Sequence, residues 1–299
     1  MSRRLRRTML FVPGNNPGMV KDAGIYGADS IMFDLEDAIS LAEKDAARFL
    51  IREALTSLSF GQTEIIVRIN GLDTKFALLD LEAVVSTGKA TIRLPKTETA
   101  DDVLACAEQI ALIEKAHGIE IGSTKIIAAI ESARGVLNAP AIAVSHPRLS
   151  AIALAAEDYT ADLKTSHTRE GSELYFGRCM ILHAARSAGI DAIDSIFADV
   201  NDEEGLRNET KLIRQLGFDG KSCINPRQIR TIHEIFAPSQ DEIRHAEAVI
   251  NAYEDALQHG SGLISLNGKL VDRPVVLRAQ RTLNFAKAMG FGREVNLDE

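Results

Sequence analysis

Eight short runs of mostly apolar residues recur along the first three quarters of the chain: Thr8 to Val12, Ser30 to Leu35, Glu64 to Ile69, Thr91 to Leu94, Lys125 to Ile130, Ala151 to Ala156, Ala192 to Phe197 and Gly220 to Ile224. Continuous rather than alternating hydrophobicity is what a strand buried on both faces requires, so these runs read as parallel strands. The segments between them carry the period of amphipathic helices. Thr99 to His117 is the clearest: Val103, Ala107, Ile110 and Ile113 share one face, Thr99 and Asp102 form a capping box, and Gly118 stops the helix. Strand–helix alternation implies right-handed crossovers between parallel strands. Eight such units predict an α/β fold closed as a (β/α)8 TIM barrel rather than an open doubly wound sheet, and no GxGxxG follows the first run to suggest a dinucleotide site.

After Pro238 the rhythm changes. Ser239 and Glu242 make another capping box, and Ile243, Ala246, Ile250, Tyr253 and Leu257 stripe one face of a helix that Gly260 ends. A Gly-Ser-Gly hinge at 260–262, a turn at Asn267-Gly268 and a last helix starting near Pro274, with Val276, Ala279, Leu283 and Ala286 on one face, complete the chain. The expected division is a barrel over residues 1–237 and a C-terminal helical extension over 238–299. A tail of this length beyond a complete barrel is expected to pack on a neighbouring subunit, which implies a homo-oligomer.

Composition narrows the class. Hydrophobic residues make up 45% of the 299 and charged residues 25%, an ordinary balance for a globular domain with ample core. No apolar stretch approaches the roughly 18 residues of a membrane span and no signal-peptide core is present, so the expected location is the cytoplasm. The odd count of three cysteines, Cys106, Cys179 and Cys223, without a CxxC pair, argues for reduced thiols serving as core filler. A net charge of -8 argues against nucleic-acid binding, and the local basic cluster Arg3, Arg4, Arg6 and Arg7 reads as a solvated arm.

The chemistry gathers at the ends of the runs, which a barrel brings to one mouth. Glu131 closes the fifth run and Asp158 the sixth, 27 positions later, the spacing of one βα unit. Either acid alone is an ordinary cap or ion-pair partner. Two carboxylates at adjacent strand ends, with no His or Cys nearby, form a hard-cation site suited to Mg²⁺, which takes one or two protein carboxylates and fills its other positions with water and substrate. The same mouth gathers Pro13-Gly14, Asp34 to Asp37, Arg68 to Asn70, Pro95-Lys96, Asp199 and Ile224 to Pro226. Arg68, with Lys96, suits a substrate carboxylate or carbonyl oxygen; the competing role for Arg68 is a salt bridge to Glu36 or Asp37 that holds the loop. No GxSxG, Cys-His pattern or Walker loop is present, so stabilised-anion chemistry fits better than acyl-enzyme or nucleotide chemistry.

Seven segments carry a family resemblance: Met9 to Asn15, Met32 to Asp37, Ile66 to Asn70, Arg93 to Lys96, Ala129 to Ser132, Ala156 to Asp158 and Ile224 to Gln228. With the tail motif Ser265 to Pro274 they resemble the beta subunits of bacterial citrate lyases, the citryl-thioester lyases, within the wider citrate lyase, malyl-thioester lyase and pyruvate-type aldolase family. Asn225 stands where many relatives outside the citrate lyase subunits carry His, which favours the citrate branch. The resemblance implies a Mg²⁺-dependent lyase that cleaves a citryl thioester into oxaloacetate and an acetyl thioester by retro-Claisen chemistry. It implies Glu131 and Asp158 as metal ligands, with Arg68 facing the oxaloacetate portion. Pro13, Gly14 and Asn225 would border the acyl group, and Asp272 would enter a neighbouring subunit's site as the proton donor or acceptor at the acetyl carbon. On the residues alone Asp272 reads as a helix N-terminal acid. Glu36 and Asp37 are the candidates for taking the hydroxyl proton, or else supports for Arg68. The substrate would arrive as a thioester of coenzyme A or of a phosphopantetheine arm on a gamma (acyl carrier) subunit, beside an acyl-exchanging alpha subunit, and the Arg3 to Arg7 cluster could dock the acidic carrier. The alternatives are a malyl-type thioester lyase, a pyruvate-type aldolase, and a noncatalytic scaffold subunit.

Overall fold

In a computed structural model that describes residues 4–258, 265–266 and 269–290, the eight runs are eight parallel strands closed into one barrel. They are β1 (Thr8–Pro13), β2 (Ser30–Asp34), β3 (Glu64–Arg68), β4 (Thr91–Leu94), β5 (Ile126–Ile130), β6 (Leu149–Leu154), β7 (Asp191–Asp194) and β8 (Gly220–Cys223). Each pairs with its sequence neighbour, and β1 closes on β8 through Thr8↔Lys221, Met9↔Ser222 and Leu10↔Cys223. Closure demands a tight approach at Gly220, where any side chain would collide with the Arg6 carbonyl; only glycine fits.

The barrel interior is layered, as the two-residue side-chain period dictates. Its middle is apolar: Met9, Met32, Ile66, Ile127, Ala151, Ala153 and Ile193 pack together, with Phe11 against them. The end where the strands begin is polar and closed by Arg6, whose guanidinium makes a two-pronged pair with Glu64 at 2.7 and 2.8 Å and reaches Asp191 at 2.9 Å. This corrects the expectation of a solvated basic arm. Arg6 is buried, Arg7 is bonded to Asp29 through backbone and side chain, and Arg3 lies outside the described residues.

Helices cover the barrel, and buried ion pairs tie them to it. On helix Ala100–Ala116, Thr99 and Asp102 form the expected capping box and Gly118 turns the chain at φ 68°. Glu114 near the end of that helix grips Arg148 just before β6. Lys221 on β8 and Arg178 on helix Tyr175–Ala188 converge on Asp194 and Glu209. Cys106 and Cys223 are core residues as expected; Cys179 is half-buried.

The described residues fall into two compact units, one over Arg6–Glu234 and the other combining residues 4–5 with those from Ile235 onward. In the second, helices Gln240–Gln258 and Arg273–Ala288 pack through Ile243, Ala246 and Ile250 against Val276, Ala279, Leu283 and Ala286. The striped faces are therefore real, except that Leu257 is exposed. Ser265–Leu266 pairs antiparallel with Lys269–Leu270. The helix end at Gly260, the 260–262 hinge and the Asn267-Gly268 turn lie outside the described residues.

Candidate active site at the barrel mouth

A cavity of about 450 Å³ opens at the carboxyl ends of the strands, lined by Phe11 and Pro13 from β1, Arg68 from β3, Arg93 from β4 and, beyond β6, Glu157 and Asp158. Arg68 is the most heavily anchored group in it. Its guanidinium makes a fork-to-fork pair with Asp34 at 2.7 Å through both Nε and Nη2. Nη1 lies 2.9 Å from Glu36 and 3.3 Å from Asp37. The salt bridge expected to Glu36 or Asp37 is present, and Arg68 also borders the cavity. The principal holder is Asp34, which sequence reasoning passed over in favour of Glu36 and Asp37. Asp34 also accepts the Glu36 and Ala38 amides and so shapes the loop after β2. Burial pushes the Asp34 carboxyl up, but Arg68 and these amides outweigh it and hold the pKa below the usual range.

The rest of that loop is pinned from outside the barrel. Lys44 donates to the Leu35 and Glu36 carbonyls at 2.8 and 2.7 Å, and Asn70 donates to Leu35 at 3.0 Å. Gly14 lies against the same turn: its amide donates to the Asp34 carbonyl, and a side chain at position 14 would approach that oxygen to 2.7 Å. Glu36 is buried, with its pKa raised by burial first, Arg68 opposing and Asp37 adding. Lys96 reaches Glu36 at 3.2 Å from a left-handed backbone, φ 49°, uncommon for a residue with a side chain.

Glu131 follows β5 and is 4% exposed, and neither of its carboxylate oxygens has a hydrogen-bond partner. Burial, then Glu36, raises its pKa to about 7; Arg93 opposes and Asp158 adds. Ordinary buried carboxylates are satisfied by donors, so two unpartnered oxygens on a buried acid fit a cation ligand. Asp158 differs from expectation in its element. β6 ends at Leu154 and Asp158 belongs to the first turn of helix Ala156–Asp162, exposed on the cavity wall. The apolar run continued past the strand because Ala155 and Ala156 pack as the start of that helix. Asp158 lines the cavity, Glu131 is not among its lining residues, and the Asp158 charge adds to the rise in the Glu131 pKa. Among the described residues no three acids, histidines or cysteines converge as a ready-made cage. A two-carboxylate set leaves the remaining positions to water and substrate, the Mg²⁺ pattern.

Asp199 and Asn225, expected at the mouth, and Asp272, expected in a neighbouring subunit's site, each have their own local surroundings. Asp199 is five residues past the end of β7 and borders a second cavity with Arg207 and Arg227. Asn225 sits beside cavity-lining Ile224 and turns its side-chain oxygen to the Arg227 amide, 3.0 Å away, at the start of helix Arg227–Phe236. Asp272 caps helix Arg273–Ala288 by accepting the Val275 amide at 3.1 Å and is exposed. That is the local role its position before Pro274 predicts.

One group escaped the sequence reading. Arg93 is 2% exposed and lines the cavity, yet it has no acid within ion-pair distance among the described residues. Burial, then the like charge of Arg68, lowers its pKa to about 10. The signal was a charged residue inside the four-residue run Thr91 to Leu94, at the position beside Arg68 in the barrel register.

A closed barrel of eight parallel strands with acids and two guanidiniums around a cavity at its mouth defines the class, a (β/α)8 protein with a charged site at the carboxyl ends of its strands. Residues 7–226 match the HpcH/HpaI aldolase/citrate lyase family, and the chain belongs to that family. It is 59% identical to citrate lyase subunit beta of Leuconostoc mesenteroides subsp. cremoris, covering 95% of this chain and 94% of that one. To citrate lyase subunit beta of Escherichia coli strain K12 it is 52% identical, covering 97% and 96%. The (3S)-malyl-CoA thioesterase of Cereibacter sphaeroides strain ATCC 17025 is more distant, 35% identical over 95% of each chain. Among solved structures, protein CitE from Mycobacterium tuberculosis in complex with magnesium, acetoacetate and coenzyme A matches with a TM-score of 0.77 and 31% identity over 95% of this chain and 98% of that one.

Proposed function

We propose that this chain is the catalytic beta subunit of a citrate lyase, cleaving a citryl thioester into oxaloacetate and an acetyl thioester. The observation that carries this reading is Glu131, a buried carboxylate with two unpartnered oxygens, acting with Asp158 beside the guanidiniums of a barrel mouth. The beta-subunit relatives at 52–59% identity along nearly the whole chain supply the substrate class.

Glu131 and Asp158 would hold Mg²⁺, which would supply Lewis-acid charge to the reacting end of the substrate. Cleavage breaks the bond between the carbinol carbon and the acetyl methylene. The hydroxyl proton leaves, a carbonyl forms, and the bonding pair departs as a thioester enolate that must take a proton on carbon. Arg68 offsets negative charge on the carbinol oxygen, and its fork, fixed by Asp34, needs no reorganisation as that charge develops. Asp37 is the carboxylate available to accept the hydroxyl proton: it lines the cavity, is about half exposed and is only loosely tied to Arg68 at 3.3 Å. Glu36, gripped by Arg68 and Lys96, serves as a support. Pro13 and Gly14 border the acyl group, and Asn225 approaches it from the β8 side.

Asp272 is assigned the proton delivery to the acetyl carbon in the site of an adjacent subunit. Its exposure supports a role in trans, and this makes the enzyme a homo-oligomer. The barrel domain covers residues 1–237 and the arm 238–299 in this reading. The thioester is carried on coenzyme A or on the phosphopantetheine arm of a gamma subunit, recharged by an alpha subunit, in the cytoplasm. No helix among the described residues is long and apolar enough to cross a membrane. The test is variant kinetics on citryl-coenzyme A: loss of cleavage in both Glu131→Gln and Asp158→Asn supports the assignment, and full activity of either at limiting Mg²⁺ contradicts it.

A further inference from the structure

Arg68 and Arg93 lie on neighbouring strands in register, β3 and β4, and both cover the same aromatic ring, with Cζ 5.2 and 5.5 Å from the Phe11 centroid. Their electrostatic situations are opposite. Arg68 faces Asp34, Glu36 and Asp37, three carboxylates within 3.3 Å, so its charge is already more than balanced by protein. The Arg93 guanidinium makes one weak hydrogen bond, Nη1 to the Met9 Sδ at 3.5 Å, and its Nε has no partner. Glu131, Glu36 and Asp34 offset the Arg93 charge only from beyond ion-pair distance, and a fully buried cation with no direct ion pair is costly; folded proteins keep one where a ligand supplies the missing partner. The guanidinium, whose Nε is unpartnered, belongs to a side chain that lines the cavity, so the missing partner is an anion bound there.

The identity of that anion rests on the proposed reaction. The oxaloacetate portion of a citryl thioester carries two carboxylates, one beside the reacting carbon and one on a methylene arm. The metal-site acids and Arg68 account for the reacting oxygen and its adjacent carboxylate. The second carboxylate would enter a largely apolar cavity with no donor assigned to it, and a planar, weakly hydrated fork with an unpartnered Nε is the matching receptor. We propose that Arg93 binds the methylene-arm carboxylate of the oxaloacetate portion and thereby sets a preference for a dicarboxylic over a monocarboxylic 2-oxo acid.

Oxaloacetate and pyruvate differ by that one carboxylate, so they isolate the contact. Titration calorimetry of the Mg²⁺-loaded full chain with fresh oxaloacetate and with pyruvate should give at least about tenfold tighter binding of oxaloacetate in the wild type. In Arg93→Met, oxaloacetate affinity should fall on the order of 100-fold, the worth of a charge-assisted pair, with pyruvate affinity changed less than about threefold. Arg93→Lys should fall between, keeping the charge without the fork. Arg93→Met should melt no lower than wild type, because it removes an unpartnered buried charge. If Arg93→Met, or Arg93→Lys should the former fail to fold, keeps the full oxaloacetate preference, the proposal is overturned while the lyase reading stands. Equal loss of both ligands with a lowered melting temperature assigns Arg93 a structural role and also overturns it. A wild type that binds neither ligand defeats the lyase reading and this inference with it.

Discussion

At the scale of single residues, the site is governed by which charges the protein satisfies and which it leaves open. Glu131 is left open, so its replacement should separate function from stability. Glu131→Gln is expected to lose on the order of 1,000-fold in turnover, since several kcal/mol of oxyanion stabilisation depend on the cation it would hold, while melting at or above the wild-type temperature because a buried, unpartnered carboxylate has been removed. Arg68 is satisfied, and its substitution should act through geometry. Arg68→Lys is expected to lower turnover on the order of 100-fold, as a point charge cannot reproduce the fork that Asp34 holds at 2.7 Å on both prongs; near-normal kinetics would reduce Arg68 to a loop anchor. Glu131 and Asp158 stand out in the chain because they are carboxylates at the ends of apolar runs. Arg93 does not, since one charge inside a strand reads as noise until the barrel register shows it beside Arg68. Asp34 was passed over because it is one of three acids in four residues, and only the loop's fold decides which of them grips the guanidinium.

At the scale of elements, buried ion pairs fix helices to the barrel, and one of them makes stability depend on pH. Burial pushes the Glu114 carboxyl up, but Arg148 and the Gly122 and Thr124 amides outweigh it and hold its pKa at about 2. A folded-state pKa below the unfolded value means that the contribution is present above about pH 4.5 and lost as pH falls toward 2. Glu114→Gln should therefore cost about 3 kcal/mol at neutral pH, as expected when one partner of a buried pair is removed, and the gap from wild type in chemical denaturation should shrink below pH 4.5. A gap that stays constant with pH would show that the pair is not its source. The Asp272 cap gives a second test at this scale. Removing one exposed helix-terminal charge costs only about 0.3 to 1 kcal/mol, so Asp272→Asn should melt nearly as wild type yet lose turnover if it serves a neighbour's site. Mixing Asp272→Asn with Glu131→Gln chains should then restore part of the activity. Exchange of subunits without restoration would leave Asp272 as a cap. Strand positions were readable from the sequence because burial on both faces forces an unbroken apolar run. The end of β6 was not, because Ala155 and Ala156 suit a buried strand and a buried helix start equally, so hydrophobicity alone could not separate Asp158 from the strand.

At the scale of the whole molecule, a barrel closed by eight parallel strands collects groups from β1 to β8 at one mouth, and family membership with citrate lyase beta subunits narrows what that mouth acts upon. The same closure explains the basic amino terminus, where Arg6 stoppers the far end of the barrel through Glu64 and Asp191 rather than extending into solvent. No local pattern could have shown this, because its partners stand 58 and 185 positions away in the chain. The central claim is that this barrel breaks a citryl carbon–carbon bond with the help of a divalent cation. The most direct measurement supplies the purified chain with citryl-coenzyme A, and in parallel with a citryl thioester of a phosphopantetheine carrier, and follows oxaloacetate release through malate dehydrogenase. Oxaloacetate should appear in the presence of Mg²⁺, stop on addition of EDTA and resume when Mg²⁺ is restored in excess. Absence of release from both thioesters, or release indifferent to EDTA, would contradict the account.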